Sequence, residues 1–253
     1  MDAALVIIVG LVLGSFLNVC IWRIPRGESI VNPPSHCGAC GTRLRPLDLV
    51  PVLSYVFLGG RCRYCGERIS IRYPAVELLT AALLTGLYLY TGFGWLFGFY
   101  GALFLVLIAV SFIDLDHQII PDSLVIAGAV VGLGMNIAGA GIGIVDGVLG
   151  ALTGGGILLL IALAALYIFK KEGMGGGDIK LMAMAGLFLG WKMTLVSLFV
   201  SVCAAAIVGV ALLAIGKKKR QDAMPLGPFL SMGIVLTVIW GERLLGWYLT
   251  QFL

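Results

Sequence analysis

The chain has 253 residues, 60% of them hydrophobic and only 12% charged, with a mean hydropathy of +1.06. A soluble domain carries about 25% charged residues, so a water-soluble globular fold is excluded. The net charge of +4 comes without any aromatic-interleaved basic strand, so no nucleic-acid partner is expected.

Uncharged runs cover residues 3–22, 78–113, 123–145, 147–169 and 193–216. A helix needs about 20 apolar residues to cross a bilayer, whereas strands of a membrane barrel alternate apolar and polar in short segments. The fold class is therefore all-α: a polytopic membrane helix bundle of about eight transmembrane helices. The spans fall near 3–22, 74–91, 95–113, 123–139, 145–169, 179–190, 193–215 and 226–249, with Thr91-Gly92-Phe93-Gly94 separating the second from the third. The first has no basic start and no small-residue cleavage site, so it reads as a retained helix rather than a signal peptide. The sixth is short for a full crossing, which suggests a tilted or partly re-entrant segment. The 36 glycines are concentrated in the spans, as expected where helices approach closely.

The basic residues set the orientation. Arg23, Arg26, Arg43, Arg45, Arg61, Arg63, Arg68 and Arg72 lie between spans one and two. Lys170, Lys171 and Lys180 flank the junction of spans five and six, and Lys217, Lys218, Lys219 and Arg220 follow span seven. Eight spans put these three loops on one side, which the positive-inside rule makes cytoplasmic, with anionic lipid as their neighbour. Three parts follow: a first helix over 1–22, a cytoplasmic metal-binding loop domain over 23–73, and a seven-helix domain over 74–253.

That loop carries two Cys-x-x-Cys pairs, Cys37/Cys40 and Cys62/Cys65. Each pair turns two thiolates to one side, and two such turns make a tetrahedral sulfur set for Zn2+. A reducing compartment makes structural disulfides the weaker reading, and no βαβ pattern supports a thioredoxin-type site. Four cysteines leave no open position for water, so the metal's expected role is structural.

The acids near the spans cluster at two junctions. Asp114, Asp116 and Asp122 lie in Ile113-Asp-Leu-Asp-His-Gln-Ile-Ile-Pro-Asp122, and Asp178 closes Gly175-Gly-Gly-Asp178. Ionisable groups at such positions are functional candidates. Two neighbouring carboxyls share one proton, so one activates water while the other polarises a carbonyl. Asp122, after Pro121 and before an apolar run, reads better as a helix N-cap than as a catalytic residue, and Asp116 equally as an interfacial anchor or a substrate contact. Gly175 and Gly177 leave room for an extended substrate strand, and Lys180 adds a cation beside it. Helix-end dipoles alone would make Asp178 the base and Asp114 the acid.

These motifs resemble those of the GxGD aspartyl proteases, and the fuller set resembles the bacterial type IV prepilin peptidases. The matching pieces are Gly14-Ser-Phe-Leu-Asn-Val19, Ser35-His-Cys37-Gly-Ala-Cys40, Tyr73-Pro-Ala-Val-Glu77, Ile113–Asp122, Glu172–Lys180 and Pro225-Leu-Gly-Pro-Phe229. The resemblance implies Asp114 and Asp178 as the catalytic pair and the four cysteines as zinc ligands. It implies an inner-membrane enzyme that removes the basic leader of prepilins and pseudopilins at the cytoplasmic face. The same enzyme would then methylate the new N-terminus with S-adenosylmethionine. Gly176 stands where relatives often carry an aromatic or polar residue. Glu28, Glu67 and Glu77 are loose candidates for the methyl-transfer step. The alternative from the residues alone is a transporter or channel using Asp114 and Asp178 as proton or ion sites.

Overall fold

The computed structural model describes residues 3–170, 175–215 and 224–252; Lys171, Glu172 and the 217–220 basic run lie outside them. Eight α-helices are described: α1 (Ala3–Arg23), α2 (Leu53–Phe57), α3 (Arg72–Thr91), α4 (Trp95–His117), α5 (Asp122–Ile137), α6 (Ile144–Phe169), α7 (Gly176–Ala214) and α8 (Gly227–Phe252). No strand is present among these residues beyond two isolated bridges. Six of the helices are long and apolar enough to cross a membrane, and α5 is a shorter apolar helix. α7 contains a break at Gly190 (φ 70°, ψ 170°), so its 39 residues form two helical segments. The short sixth span therefore joins the seventh through a kink at the residue where the sequence reading ends it. With that break, eight apolar helical segments are present, as the uncharged runs require.

The chain forms two compact units, Met1–Phe93 and Gly94–Leu253. In the first, α1 and α3 run antiparallel and nearly touch along small residues. A Cβ on Gly10 would lie 2.6 Å from Ala81 Cα, and one on Gly14 would lie 2.6 Å from Glu77 Cα. Only glycine permits that approach, which substitutes for the hydrophobic driving force that helices lack in lipid. Asn18 Nδ2 donates to Tyr73 O at 3.0 Å and closes the same seam. At the end of α1 the buried Arg23 donates to the carbonyls of Ser29 (2.9 Å) and Pro33 (2.7 Å), anchoring the chain as it leaves the helix.

The second unit is built on α4, whose Phe99, Leu103, Phe104, Leu107, Val110 and Ile113 are all essentially inaccessible. α6 and α7 cross at Gly150 and Gly186, where a Cβ on either glycine would meet the other's carbonyl oxygen. Asn136 at the end of α5 ties the bundle together, donating to Leu187 O at 2.7 Å and accepting from Ile142 N at 2.9 Å. The outward faces of these helices are apolar, with Phe199, Ile207 and Val210 exposed, as expected for side chains that meet lipid.

Candidate active site and metal centre

Four helix ends converge at one end of the second unit. Asp114 sits in the last turn of α4 and is 5% exposed, while Asp116 and His117 face outward. A left-handed Gln118 (φ 54°), whose N–H returns to Asp114 O at 2.9 Å, stops the helix immediately afterwards. The chain then passes Ile119-Ile120-Pro121 into α5. Asp178 is the third residue of α7 and half-buried. The two carboxyls lie within electrostatic reach of each other.

Two glycines make the convergence sterically possible. A Cβ on Gly177 would lie 2.8 Å from Ile120 Cβ, so the start of α7 lies directly against the α4–α5 link. A Cβ on Gly227 would lie 2.8 Å from Asp114 Oδ2, and the Gly227 N–H donates to that oxygen at 2.9 Å. Nothing lies within 4 Å of a Cβ on Gly176, so a larger residue fits there, in contrast to Gly177. The sequence reading quoted Pro225–Phe229 without giving it a role. The backbone donor at its centre is invisible to any side-chain pattern.

Asp122 does not cap its helix. Pro121 occupies the N-cap position with no side-chain cap hydrogen bond, and Lys180 Nζ donates to both Asp122 oxygens at 2.8 and 2.9 Å. This pair links the first turns of α5 and α7. Both side chains are more than half exposed, so its value is small. A double-mutant cycle of Asp122→Asn and Lys180→Met in thermal unfolding is expected to give a coupling under about 1 kcal/mol, weakening with added salt. A larger coupling would mean that the pair is shielded.

In the first unit Cys37, Cys40, Cys62 and Cys65 bring their sulfurs within 4.8 Å of one another. They sit on two copies of one local structure. Cys37 N donates to Thr42 O (3.0 Å), Gly41 N to Cys37 O (2.8 Å) and Leu44 N to Ser35 O (2.9 Å). The same three bonds recur as Cys62 N to Glu67 O (2.8 Å), Gly66 N to Cys62 O (2.9 Å) and Ile69 N to Gly60 O (2.8 Å). The likeness of His36-Cys-Gly-Ala-Cys-Gly-Thr-Arg43 to Arg61-Cys-Arg-Tyr-Cys-Gly-Glu-Arg68 is an internal repeat that the sequence reading did not use.

The donor set fits a tetrahedral metal. Zn–S bonds of about 2.3 Å imply sulfur–sulfur edges of about 3.8 Å, and Cys37 Sγ and Cys65 Sγ are 3.8 Å apart. The Thr42 hydroxyl and backbone N–H draw the Cys40 thiol down to about 6. At Cys65 the Glu67 N–H favours the thiolate, but desolvation and the sulfurs of Cys40, Cys62 and Cys37 push it up to about 12. Four thiolates at these distances need a cation among them. Beside the second knuckle, Asp48 accepts from Arg45 N (3.0 Å), Arg63 Nε (2.6 Å) and Tyr64 Oη (2.8 Å). Burial alone would raise its carboxyl, and these three donors instead hold it below the usual carboxylate range.

Residues 8–91 match the bacterial peptidase A24 N-terminal domain, and residues 101–210 match the type IV leader peptidase family. The chain is 36% identical to the prepilin leader peptidase/N-methyltransferase of Aeromonas hydrophila, covering 99% of this chain and 94% of that protein. The Pseudomonas aeruginosa protein of the same name is 34% identical (96% and 92% covered), and the Bacillus subtilis one 35% (99% of each). The chain belongs to the type IV leader peptidase family. No solved structure matches it. The two family regions fall inside the two structural units, with the cysteines in the first region and both Asp114 and Asp178 in the second. The transporter reading finds no support among these relatives.

Proposed function

We propose that the protein cleaves the basic leader from prepilins and pseudopilins with Asp114 and Asp178, and then methylates the exposed amine using S-adenosylmethionine. The observation that carries the peptidase assignment is the meeting of a buried Asp114 and a half-buried Asp178 from different helices at one end of the bundle. One carboxylate removes a proton from water as its oxygen attacks the scissile carbonyl, while the other, protonated, donates to the carbonyl oxygen. Collapse of the tetrahedral intermediate breaks the C–N bond, and a returned proton leaves on the amine.

The Gly227 hydrogen bond supports one division of the two roles. An N–H donated to a carboxylate favours its anion by about 1.5–3 kcal/mol, against about 0.3–1 kcal/mol for a helix terminus. Asp114 has that donor, and no hydrogen bond reaches the Asp178 side chain among the described residues. Asp114 is therefore the base and Asp178 the acid in the free enzyme, the reverse of the assignment from helix ends alone. Infrared difference spectra should lose the protonated-carboxyl band in Asp178→Asn, and its loss only in Asp114→Asn would restore the other assignment. Gly227→Ala should lower cleavage by roughly 100-fold with helical content unchanged, because its methyl displaces the carboxylate that the N–H holds. Wild-type cleavage by Gly227→Ala would show that this contact is dispensable.

The cysteine cluster is a structural Zn2+ site, closed to water by its four sulfurs. The clustering of basic residues supports a cytoplasmic location for the cysteine loop and for the helix ends that carry the aspartates. Asp116, Asp122, Gly175, Gly177 and Lys180 line the approach of an extended substrate segment. Mass spectrometry of a prepilin N-terminus after incubation with purified enzyme and S-adenosylmethionine tests both activities. An unchanged leader would overturn the peptidase assignment, and an unmethylated product the transferase.

A further inference from the structure

Between the two cysteine knuckles runs Leu49-Val-Pro-Val-Leu-Ser-Tyr-Val-Phe-Leu-Gly-Gly60, a stretch with no charged residue inside the loop that the sequence reading kept wholly outside the bilayer. Its position follows from the α1–α3 register, in which Gly10 faces Ala81, Gly14 faces Glu77 and Asn18 faces Tyr73. Val52 N donates to Glu77 Oε2 at 2.7 Å, and Glu77 lies about 7.5 Å of helix rise past Arg72. Val50–Leu53 also line a cavity of about 280 Å³ with Leu78 and with Ile8, Leu11 and Val12 of α1. Roughly 22 Å of helix separates Ile8 from Arg23 at the charged end of α1. The turn thus lies beside the apolar middle of α1, well below the level of the arginines.

Three further features suit that depth. Backbone away from helix is tolerated in hydrocarbon only where its polar groups are satisfied, and here most of its N–H groups have acceptors. Leu53 N reaches Pro51 O (2.5 Å), Ser54 N reaches Val50 O, Val56 N reaches Val52 O, Leu58 N reaches Ser54 O, and Gly60 N reaches Tyr55 O. Pro51 has no N–H to satisfy, and the Val52 N–H is taken by Glu77. Secondly, Val52 adopts φ 60°, ψ −49° at the centre of a three-residue turn, a strained conformation for a β-branched residue. The buried Glu77 carboxylate, which also takes a hydrogen bond from the Ser15 side chain, holds that turn in place. Thirdly, the outward side chains are large and apolar: Leu53 is 55% exposed, Val56 65% and Phe57 84%. They continue the exposed face of α1, where Ile8 and Val12 are 58% and 55% exposed.

We infer that residues 49–60 form a re-entrant hairpin that dips into the leaflet beside α1 and α3. Its outer face, Leu53, Val56 and Phe57, packs against lipid acyl chains. The cavity shared with Ile8 and Val12 is part of that lipid-facing surface, whose continuity with a membrane-spanning helix identifies the occupant. The knuckles close the neck of the hairpin, since Cys37 and Cys40 precede it and Cys62 and Cys65 follow it. Glu77 is thereby the group that fastens the tip, with its carboxylate already engaged.

The test is carbene footprinting of the unmodified, metal-loaded enzyme in vesicles. One reagent is a phospholipid bearing a diazirine in its acyl chain, and the other is a water-soluble diazirine. The expected result is acyl-chain labelling of Leu53, Val56 and Phe57 comparable to that of Val12, with labelling of Glu28 by the water-soluble reagent alone. Water-soluble labelling of Val56 and Phe57 without lipid adducts would overturn the proposal. Loss of the lipid adducts when prepilin is bound to the Asp178→Asn enzyme would also overturn it, giving the face to the substrate's own helix.

Discussion

Asp114→Asn and Asp178→Asn are each expected to reduce prepilin cleavage by roughly 1,000-fold or more, and the double variant by no more than either alone. In the proposed mechanism the two carboxyls share one proton and perform one reaction, so deleting either member removes the unit. Asn preserves shape and one hydrogen-bonding oxygen, so Gly227 N–H retains its acceptor in Asp114→Asn and the bundle should keep its helical content. The same variants should still methylate a pilin supplied without its leader, because Glu28, Glu67 and Glu77, the candidates for methyl transfer, lie in the other unit. Single-turnover cleavage followed by mass spectrometry checks the first expectation, and methyl incorporation into pre-cleaved pilin checks the second. Normal cleavage by either single variant would sink the aspartyl mechanism.

The second large effect belongs to the metal. Cys62→Ser leaves three sulfurs and removes the ligand that is buried, at 7% exposure. Structural zinc supplies about 10–16 kcal/mol of apparent folding free energy in small zinc-binding peptides. Loops of this kind have little apolar core to replace it. Loss of bound metal by elemental analysis, loss of methylation and protease sensitivity between Arg43 and Arg68 are expected together. The helices of the 94–253 unit should remain. Acidification should act in the same direction, since metal binding requires deprotonated sulfur. Full metal retention by Cys62→Ser at neutral pH would show that the sulfur set is not the site.

The eight apolar segments and the cysteine set were legible in the sequence for a simple reason. Bilayer thickness imposes a length on uncharged runs, and a Cys-x-x-Cys turn brings its own two ligands together whatever surrounds it. The break at Gly190 was also foreshadowed by a span too short to cross. The choice between Asp114 and Asp116 was not legible in composition or period. α4 is apolar on every side, so no stripe marks its inward face, and only the resemblance preferred Asp114. Packing distinguishes the two, leaving Asp114 buried and Asp116 exposed. Asp122 follows Pro121 as an N-cap residue would, yet its carboxylate goes to Lys180, which is distant in sequence. The hairpin of 49–60 was hidden because a run of that length is too short to announce a span.

By itself, the sequence determined that this chain is a helical membrane protein with two Cys-x-x-Cys pairs in one loop and acids at two helix junctions. Those properties depend on local chemistry and on the bilayer, both of which act on contiguous residues. Tertiary structure alone decided which acids meet, that a backbone N–H from Gly227 holds one of them, and that Glu77 fastens the Val52 turn. Each of these joins residues far apart in the chain through a close approach that a single missing Cβ or one backbone donor makes possible, and no linear pattern encodes that.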